Sequence, residues 1–155
     1  MTAPIRWPAE AVWEAVAPLL PGFTVEVLPS IDSTNTELMR RARAGQTEPT
    51  LLVAEQQTAG RGRLGRVWQS DVGASLMLSL GLPMVPRDWS GLSLAVGVSV
   101  AESLQPTLPP LEPGQPPRIG LKWPNDLWLS GDRKLGGILV ETASFVAPQA
   151  AQPAT

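Results

Sequence analysis

TLLVAEQQTAGRGRLGRVW, residues 50–68, joins an apolar run to a loop in which glycine and arginine alternate. The run at 50–55 is typical of a buried strand, and ASLMLSL at 74–80 predicts a second strand after the loop. A loop held between two core strands is more often a ligand loop than a free tail. Its glycines allow backbone N–H groups to approach an anion, its arginines offer planar forks of donors, and Trp68 offers a flat apolar face. The loop is therefore suited to phosphates and a purine ring.

Arginine–glycine runs also occur in disordered basic segments and in nucleic-acid contacts, so that interpretation is the first alternative. The chain has 12 Lys and Arg against 14 Asp and Glu, a net charge of −2 and a pI near 5.1. Nucleic-acid-binding domains usually carry a basic excess, so the overall charge argues against general nucleic-acid binding.

Composition limits the available chemistry. The 155 residues suggest one domain, and 43% of them are hydrophobic, which is enough for a core. The sequence has no cysteine and no histidine, which excludes disulfides, thiolate nucleophiles, histidine bases and Cys/His zinc sites. No signal pattern and no apolar run long enough to span a bilayer is present, so we expect a cytoplasmic protein without a membrane segment.

Periodicity and breakers predict an α/β (α+β) fold with a mixed, mostly antiparallel sheet and helices on one face. We expect residues 1–146 to form the domain, residues 105–117 to be a proline-rich loop, and residues 147–155 to be a disordered loop or tail. The predicted helices are 8–20, 32–44 and a largely buried 88–104; the predicted strands are 23–28, 50–55, 74–80, 118–129 with an interruption at Pro124, and 134–142.

A second motif, KWPND, ends an apolar strand at residues 122–126. Lys122 would place an ammonium group where the strand stops, because Pro124 cannot continue the ladder. Asn125 and Asp126 can tie down a turn or bind Mg²⁺ through oxygen. The alternative is an ordinary hairpin entry with a surface lysine. We predict that Trp123 lies in the core.

Ser33-Thr34-Asn35 opens a predicted helix, where it can act as a simple cap or as a site for an anion or polar ligand. Gln57, just before the glycine–arginine stretch, can bind a ligand or merely end a strand. These alternatives stay open on the residues alone.

Four segments occur in one order: residues 33–35 (STN), 55–68 (EQQTAGRGRLGRVW), 122–126 (KWPND) and 134–141 (KLGGILVE). Together they resemble the catalytic domain of bacterial biotin–protein ligases, the biotin–[acetyl-CoA-carboxylase] ligases. The resemblance implies a fold related to class II aminoacyl-tRNA synthetases and lipoate ligases. It also implies that biotin and Mg·ATP form biotinyl-5′-AMP, whose biotinyl group passes to a lysine of the biotin carboxyl carrier domain of acetyl-CoA carboxylase.

The resemblance assigns roles by position, with ATP and Mg²⁺ as co-substrate and ion, biotin as substrate and no tightly bound cofactor. It makes Lys122 and Arg63 the catalytic residues. It allows a homodimer. It assigns no metal ligand, so the metal ligands stay unknown, with Asp126 as a possible one from its residue type. The implied biotin contacts are Ser33, Thr34, Asn35, Gln57, Arg61, Gly62, Arg63 and Lys122; the implied ATP and adenylate contacts are Gly60, Arg63, Arg66 and Trp68.

The sequence departs from the family pattern at both ends. About 30 residues precede Ser33, so we expect no DNA-binding domain, and nothing after Glu141 resembles the family's further strands. We therefore expect these residues to form the N-terminal part of the catalytic domain. Whether this part is active alone stays open on the sequence. The alternatives are a lipoate-type ligase, although the octanoyl-transferring relatives use a cysteine that this chain lacks, and an inactive module that binds biotin or a carrier domain.

Overall fold

A computed structural model describes residues 4–144, which divide into two compact units. The first unit contains residues 4–61, 67–84 and 141–144; the second contains residues 62–66 and 85–140. The helices are α1 (Ala9–Val16), α2 (Thr34–Arg43) and α3 (Leu92–Leu104), and the strands are β1 (Thr24–Leu28), β2 (Thr50–Ala54), β3 (Gly60–Arg61), β4 (Val67–Trp68), β5 (Met77–Gly81), β6 (Ile119–Lys122), β7 (Asp126–Leu129) and β8 (Arg133–Gly137).

The first unit is built on a three-stranded sheet in the order β1-β2-β5. The central strand β2 pairs in parallel with β1 and antiparallel with β5, and it carries the fully buried Leu52 and Ala54. A strand paired on both sides and covered by helices needs an apolar run, which the sequence TLLVA supplies. Helix α1 packs against β1, and α2 packs against β5 and β2.

Helix α2 begins because Ser33 caps it. Ser33 has an extended backbone, and its hydroxyl oxygen accepts a hydrogen bond from the Thr36 N–H at 3.3 Å. Glu37 does not reach back to the cap, since it pairs with Arg40 and Arg41 one turn later. The cap fixes the backbone of the Ser33-Thr34-Asn35 segment at the N-terminus of the helix.

The second unit contains an antiparallel sheet in the order β6-β7-β8, with α3 against β6. The predicted strand at 118–129 is two strands joined by a tight turn, with Lys122 opposite Asp126. The turn contains a cis Trp123–Pro124 peptide bond. Strands β7 and β8 form an antiparallel hairpin, in which β8 is shorter than the predicted strand at residues 134–142.

Two burial predictions are wrong. Trp123 is 78% exposed, because it lies in the turn and not on a strand. Helix α3 is not largely buried, since Gly97 is its one buried residue. The helix packs closely at Gly97, where an added Cβ would lie 2.7 Å from Leu121 Cδ2.

The mixture of helices and mostly antiparallel strands agrees with the predicted fold class, but the described strands form three small sheets. The third is the two-stranded ribbon of β3 and β4. Among residues 4–144, no helix is both long and apolar enough to span a membrane. The predicted tail at 147–155 lies outside the described residues.

Candidate functional site

The glycine–arginine loop, defined here as residues 60–68, begins and ends in the β3–β4 ribbon. Gly60 is opposite Trp68, and Arg61 is opposite Val67. A Cβ on Gly60 would lie 2.6 Å from the Trp68 backbone oxygen and 3.1 Å from Gln57 Nε2. Only glycine fits this close approach, so the packing at the base of the loop requires a glycine at position 60.

The tip of the loop is a short 3-10 turn at Arg63–Gly65. Leu64 and Gly65 both have positive φ, 58° and 70°, a backbone region in which glycine costs less than leucine. The Gly62 N–H donates a hydrogen bond to the Arg66 carbonyl at 2.7 Å. The side chains of Arg63 and Arg66 are exposed, so their guanidinium groups are accessible to an anionic ligand.

The loop base is joined to the start of α2 through Gln57. The Gln57 side-chain oxygen accepts hydrogen bonds from the Thr34 N–H at 2.8 Å and the Thr34 hydroxyl at 3.1 Å. A parallel bridge between Ile31 and Gln57 fixes this register, supported by a hydrogen bond from the Ala59 N–H to the Asp32 carbonyl at 2.8 Å. The start of α2 and the base of the loop, which are far apart in sequence, thus form one hydrogen-bonded polar cluster.

Ser79 on β5 extends this network and was not predicted. Its hydroxyl lies 2.7 Å from Thr34 Oγ1 and also makes a short hydrogen bond with Asn35 Oδ1. Thr34 and Ser79 are both buried, so their hydroxyl groups depend on each other and on Gln57 and Asn35 for hydrogen bonds. The available signal was a serine between Leu78 and Leu80 in an otherwise apolar strand.

Glu141 is a second residue that sequence reasoning missed. Its carboxylate accepts two hydrogen bonds from Arg61, at 3.1 and 2.8 Å, and one from the Asn35 amide at 3.1 Å. Burial acts to raise the pKa of Glu141, but the hydrogen bonds from Arg61 and Asn35 outweigh it, so the pKa is lowered. Glu141 is therefore an anion held between two predicted substrate contacts.

An open groove of about 410 Å³ lies beside α2 in the first unit. Its lining includes basic, acidic and apolar side chains, so it carries both positive and negative charges. Its lining residues are Asp32, Thr36, Met39, Arg43, Ala59, Arg61 and Glu141.

Lys122 ends β6 in the second unit. Its ammonium lies 4.1 Å from the centre of the Trp128 ring, a cation–π contact that orients the exposed side chain. Asp126, the candidate metal ligand, pairs with Lys134 at 2.9 Å. Asn125 donates to the Ile138 carbonyl at 2.8 Å and so ties the turn.

Within residues 4–144, no group of three or more carboxylates could hold a metal ion. The first unit contains the predicted contacts Ser33, Thr34, Asn35, Gln57, Gly60, Arg61 and Trp68; the second contains Gly62, Arg63, Arg66 and Lys122. Within the first unit, the hydrogen-bonded side-chain network includes Thr34, Asn35, Gln57 and Arg61. Gly60 lies against this network and is opposite Trp68 in the ribbon, whereas the Ser33 hydroxyl caps α2.

Residues 27–151 match the family model of the biotin/lipoate A/B protein ligase family. The chain belongs to this family. It is 42% identical to a biotin–[acetyl-CoA-carboxylase] ligase of Mycobacterium tuberculosis, over 77% of this chain and 44% of the relative. It is 45% identical to the bifunctional ligase/repressor BirA of Escherichia coli, over 79% of this chain and 36% of the relative.

Among solved structures, the biotin protein ligase from Aquifex aeolicus in complex with biotin and ATP matches with a TM-score of 0.60 and 35% identity. The match covers 77% of this chain and 47% of that one. The predicted family and fold class are thereby confirmed. The chain spans less than half the length of each of these three relatives.

Proposed function

We propose that this chain takes part in ATP-dependent biotin activation and in transfer of the biotinyl group to a lysine of a biotin carboxyl carrier domain. The observation that carries the proposal is the hydrogen-bonded network joining Thr34, Asn35, Gln57 and Ser79 at the base of a glycine–arginine loop. Membership of the biotin/lipoate family supports it, as do relatives named biotin ligases.

In the first step, a carboxylate oxygen of biotin attacks the α-phosphorus of ATP, and the bond to the β-phosphate oxygen breaks. The products are biotinyl-5′-AMP and pyrophosphate. Two anions must approach, so fixed cations lower the barrier by offsetting charge that develops in the transition state. We assign this role to Lys122 and Arg63, with Arg66 and Trp68 serving the adenylate.

In the second step, the ε-amine of the carrier lysine attacks the acyl carbon of the mixed anhydride. An amide forms, AMP leaves, and the amine loses a proton. No covalent enzyme intermediate is needed, which suits a chain without cysteine or histidine. Closure of the glycine–arginine loop would exclude water from the reactive anhydride.

Magnesium belongs to this proposal as part of the substrate Mg·ATP. The phosphates of ATP would supply ligands to the Mg²⁺, and Asp126, which pairs with Lys134, stays a candidate for a further ligand.

A lipoate-type ligase is the second candidate, because the family includes both acids. The relatives from Mycobacterium tuberculosis and Aquifex aeolicus are named as biotin ligases, which favours the first candidate. A cytoplasmic location and a homodimer stay predictions from the sequence.

The proposal is tested by pyrophosphate exchange. The purified chain is incubated with ATP, Mg²⁺ and labelled pyrophosphate, with biotin or lipoate as the acid, and label entering ATP is counted. The full-length Mycobacterium tuberculosis relative is the positive control. We expect exchange that requires biotin and is weak with lipoate. A carrier domain added to a parallel reaction tests the second step through the label it retains.

Three other outcomes contradict the proposal. Exchange supported by lipoate but not biotin favours the second candidate. Biotin binding without exchange shows a binding module. Neither binding nor exchange, in a chain that is folded by circular dichroism, removes the ligase function from this chain.

A further inference from the structure

Each of the three guanidinium nitrogens of Arg61 donates a hydrogen bond to a protein group. Its Nε donates a hydrogen bond to Thr36 Oγ1 at 3.0 Å, its Nη1 donates to Glu141 Oε1 at 3.1 Å, and its Nη2 donates to Glu141 Oε2 at 2.8 Å. The same carboxylate accepts from the Asn35 amide. One carboxylate therefore joins the loop base to the first turn of α2.

We propose that Glu141 is a positioning residue, which holds the Arg61 side chain and the Asn35 amide and thereby fixes the base of the glycine–arginine loop. Arg61 then anchors the loop through its side chain instead of offering that fork to a substrate carboxylate. The proposal rests on the proposed function, because it gives a role in the biotin site to a residue with no assigned role.

The ion pair has the features of one that fixes geometry. It is bidentate, and the side chains of Arg61 and Glu141 are 39% and 25% exposed, so it is less screened than a fully exposed pair. It joins residues 80 positions apart, and the Asn35 bond spans 106 positions. Residues this far apart in sequence are not held together by local structure. The Glu141 carboxylate therefore connects Arg61 with Asn35 directly.

Loss of this carboxylate should displace the site without removing it. In Glu141→Gln, an amide NH2 group replaces one carboxylate oxygen. This NH2 group then faces an N–H donor of Arg61 or Asn35, so at least one of the three hydrogen bonds is lost. The loop base then loses its fixed position relative to Thr34 and Gln57. Displacement of a substrate-positioning group weakens the productive binding of the substrate.

The first measurement uses ligand-free protein and therefore does not depend on ligase activity. Wild type, Glu141→Gln and the control Glu102→Gln are digested briefly with trypsin, and mass spectrometry follows cleavage after Arg63 and Arg66. Glu102 is exposed on α3, so its replacement matches the chemical change away from the loop. We expect cleavage in the loop about tenfold faster in Glu141→Gln and unchanged in the control.

The second measurement asks whether Glu141 acts through Arg61. Biotin KM and kcat for pyrophosphate exchange are measured for Glu141→Gln, Arg61→Lys and the double variant. We expect KM to rise about tenfold in Glu141→Gln with a smaller change in kcat, since ground-state positioning is lost. The double variant should be no worse than Arg61→Lys, because the second change removes an interaction already lost.

Loop cleavage equal to wild type in Glu141→Gln overturns the proposal, as do fully additive effects in the double variant. Should Glu141→Gln fail to fold, Thr36→Val replaces it, since this variant removes one hydrogen bond to Arg61 with little change in shape. Accelerated loop cleavage without any exchange in wild type supports the anchor and refutes only the ligase function, so the two failures are distinct.

Discussion

Gly60 lies at the closest backbone approach in the candidate site. An added Cβ would meet the Trp68 backbone oxygen at 2.6 Å, and backbone cannot move aside as a flexible side chain can. Gln57, whose side chain is 3.1 Å from that position, would also have to shift, and with it the hydrogen bonds to Thr34.

We therefore expect Gly60→Ala to destabilise the fold by about 1–3 kcal/mol, as overpacking does elsewhere, and to weaken biotin binding at least about tenfold. Urea unfolding and calorimetric titration measure the two effects. Gly120→Ala is the matched control, because nothing lies within 4 Å of a Cβ at Gly120. Equal stability of the two variants would show that the ribbon is looser than described.

Asp32 precedes the cap of α2, and its carboxylate accepts hydrogen bonds that lower its pKa. Hydrogen bonds from the Arg40 side chain and the Ser33 N–H lower the pKa of Asp32 from 3.8 to about 2. Because the folded-state pKa lies below the unfolded one, the stabilisation is complete above pH 3.8 and is lost as the pH falls towards 2.

Asp32→Asn should therefore be less stable than wild type at about pH 6, and its unfolding free energy should fall less steeply below pH 3.8. Urea unfolding at a series of pH values measures this slope. Asp71→Asn, an exposed replacement, is the control. A wild-type slope in Asp32→Asn would remove Asp32 from the groups responsible for acid sensitivity.

At the scale of elements, Gly97 is the point where α3 meets the second sheet. A Cβ there would lie 2.7 Å from Leu121 Cδ2 and 3.3 Å from Ile138 Cδ1, both ends of side chains that can move. Alanine should therefore be tolerated, whereas a branched side chain must push β6 away from the helix. Lys122 is the next residue on that strand.

We expect Gly97→Val to cost about 1–3 kcal/mol in stability and to lower exchange activity through displacement of Lys122. Ser99→Val, on an exposed position of the same helix, isolates the effect of valine on helix propensity. Thermal unfolding and pyrophosphate exchange are measured together. A Gly97→Val protein with the stability of Ser99→Val would show that the contact is not tight.

Pattern alone predicted most elements, because their periodicity and breakers are local. The strand at Thr50–Ala54, the helix at Thr34–Arg43 and the hairpin into β8 follow from apolar runs, a cap and turn residues. The error at Trp123 has a local cause as well: an aromatic residue after an apolar strand resembles core, and only the tight turn exposes it.

At the scale of the whole molecule, the sequence predicted residue types in the site better than their partners. The motif segments were recognised in order, yet Ser79 and Glu141 were missed because their contacts with residues 34–35 and 61 cross 44 to 106 positions of sequence. Such pairings depend on the packing of β5 on α2 and on the return of the chain at Glu141, which no local pattern encodes.

In the proposed function, cations of the glycine–arginine loop and Lys122 serve one small acid and ATP, without a covalent bond to the chain. The cations concerned are Arg63 and Lys122, whereas Arg87 is an exposed cation with no proposed role. Removing either of the two should lower the rate of adenylate formation, because transition-state charge loses a fixed partner.

The most direct test is a single-turnover measurement of biotinyl-AMP from biotin and α-labelled ATP, in wild type, Lys122→Ala, Arg63→Ala and Arg87→Ala. The account predicts a biotin-dependent labelled adenylate that separates from the protein on denaturation, a loss of about 100-fold or more in the first two variants, and none in the third. Label that stays attached to the denatured chain, or wild-type rates in both Lys122→Ala and Arg63→Ala, would contradict it.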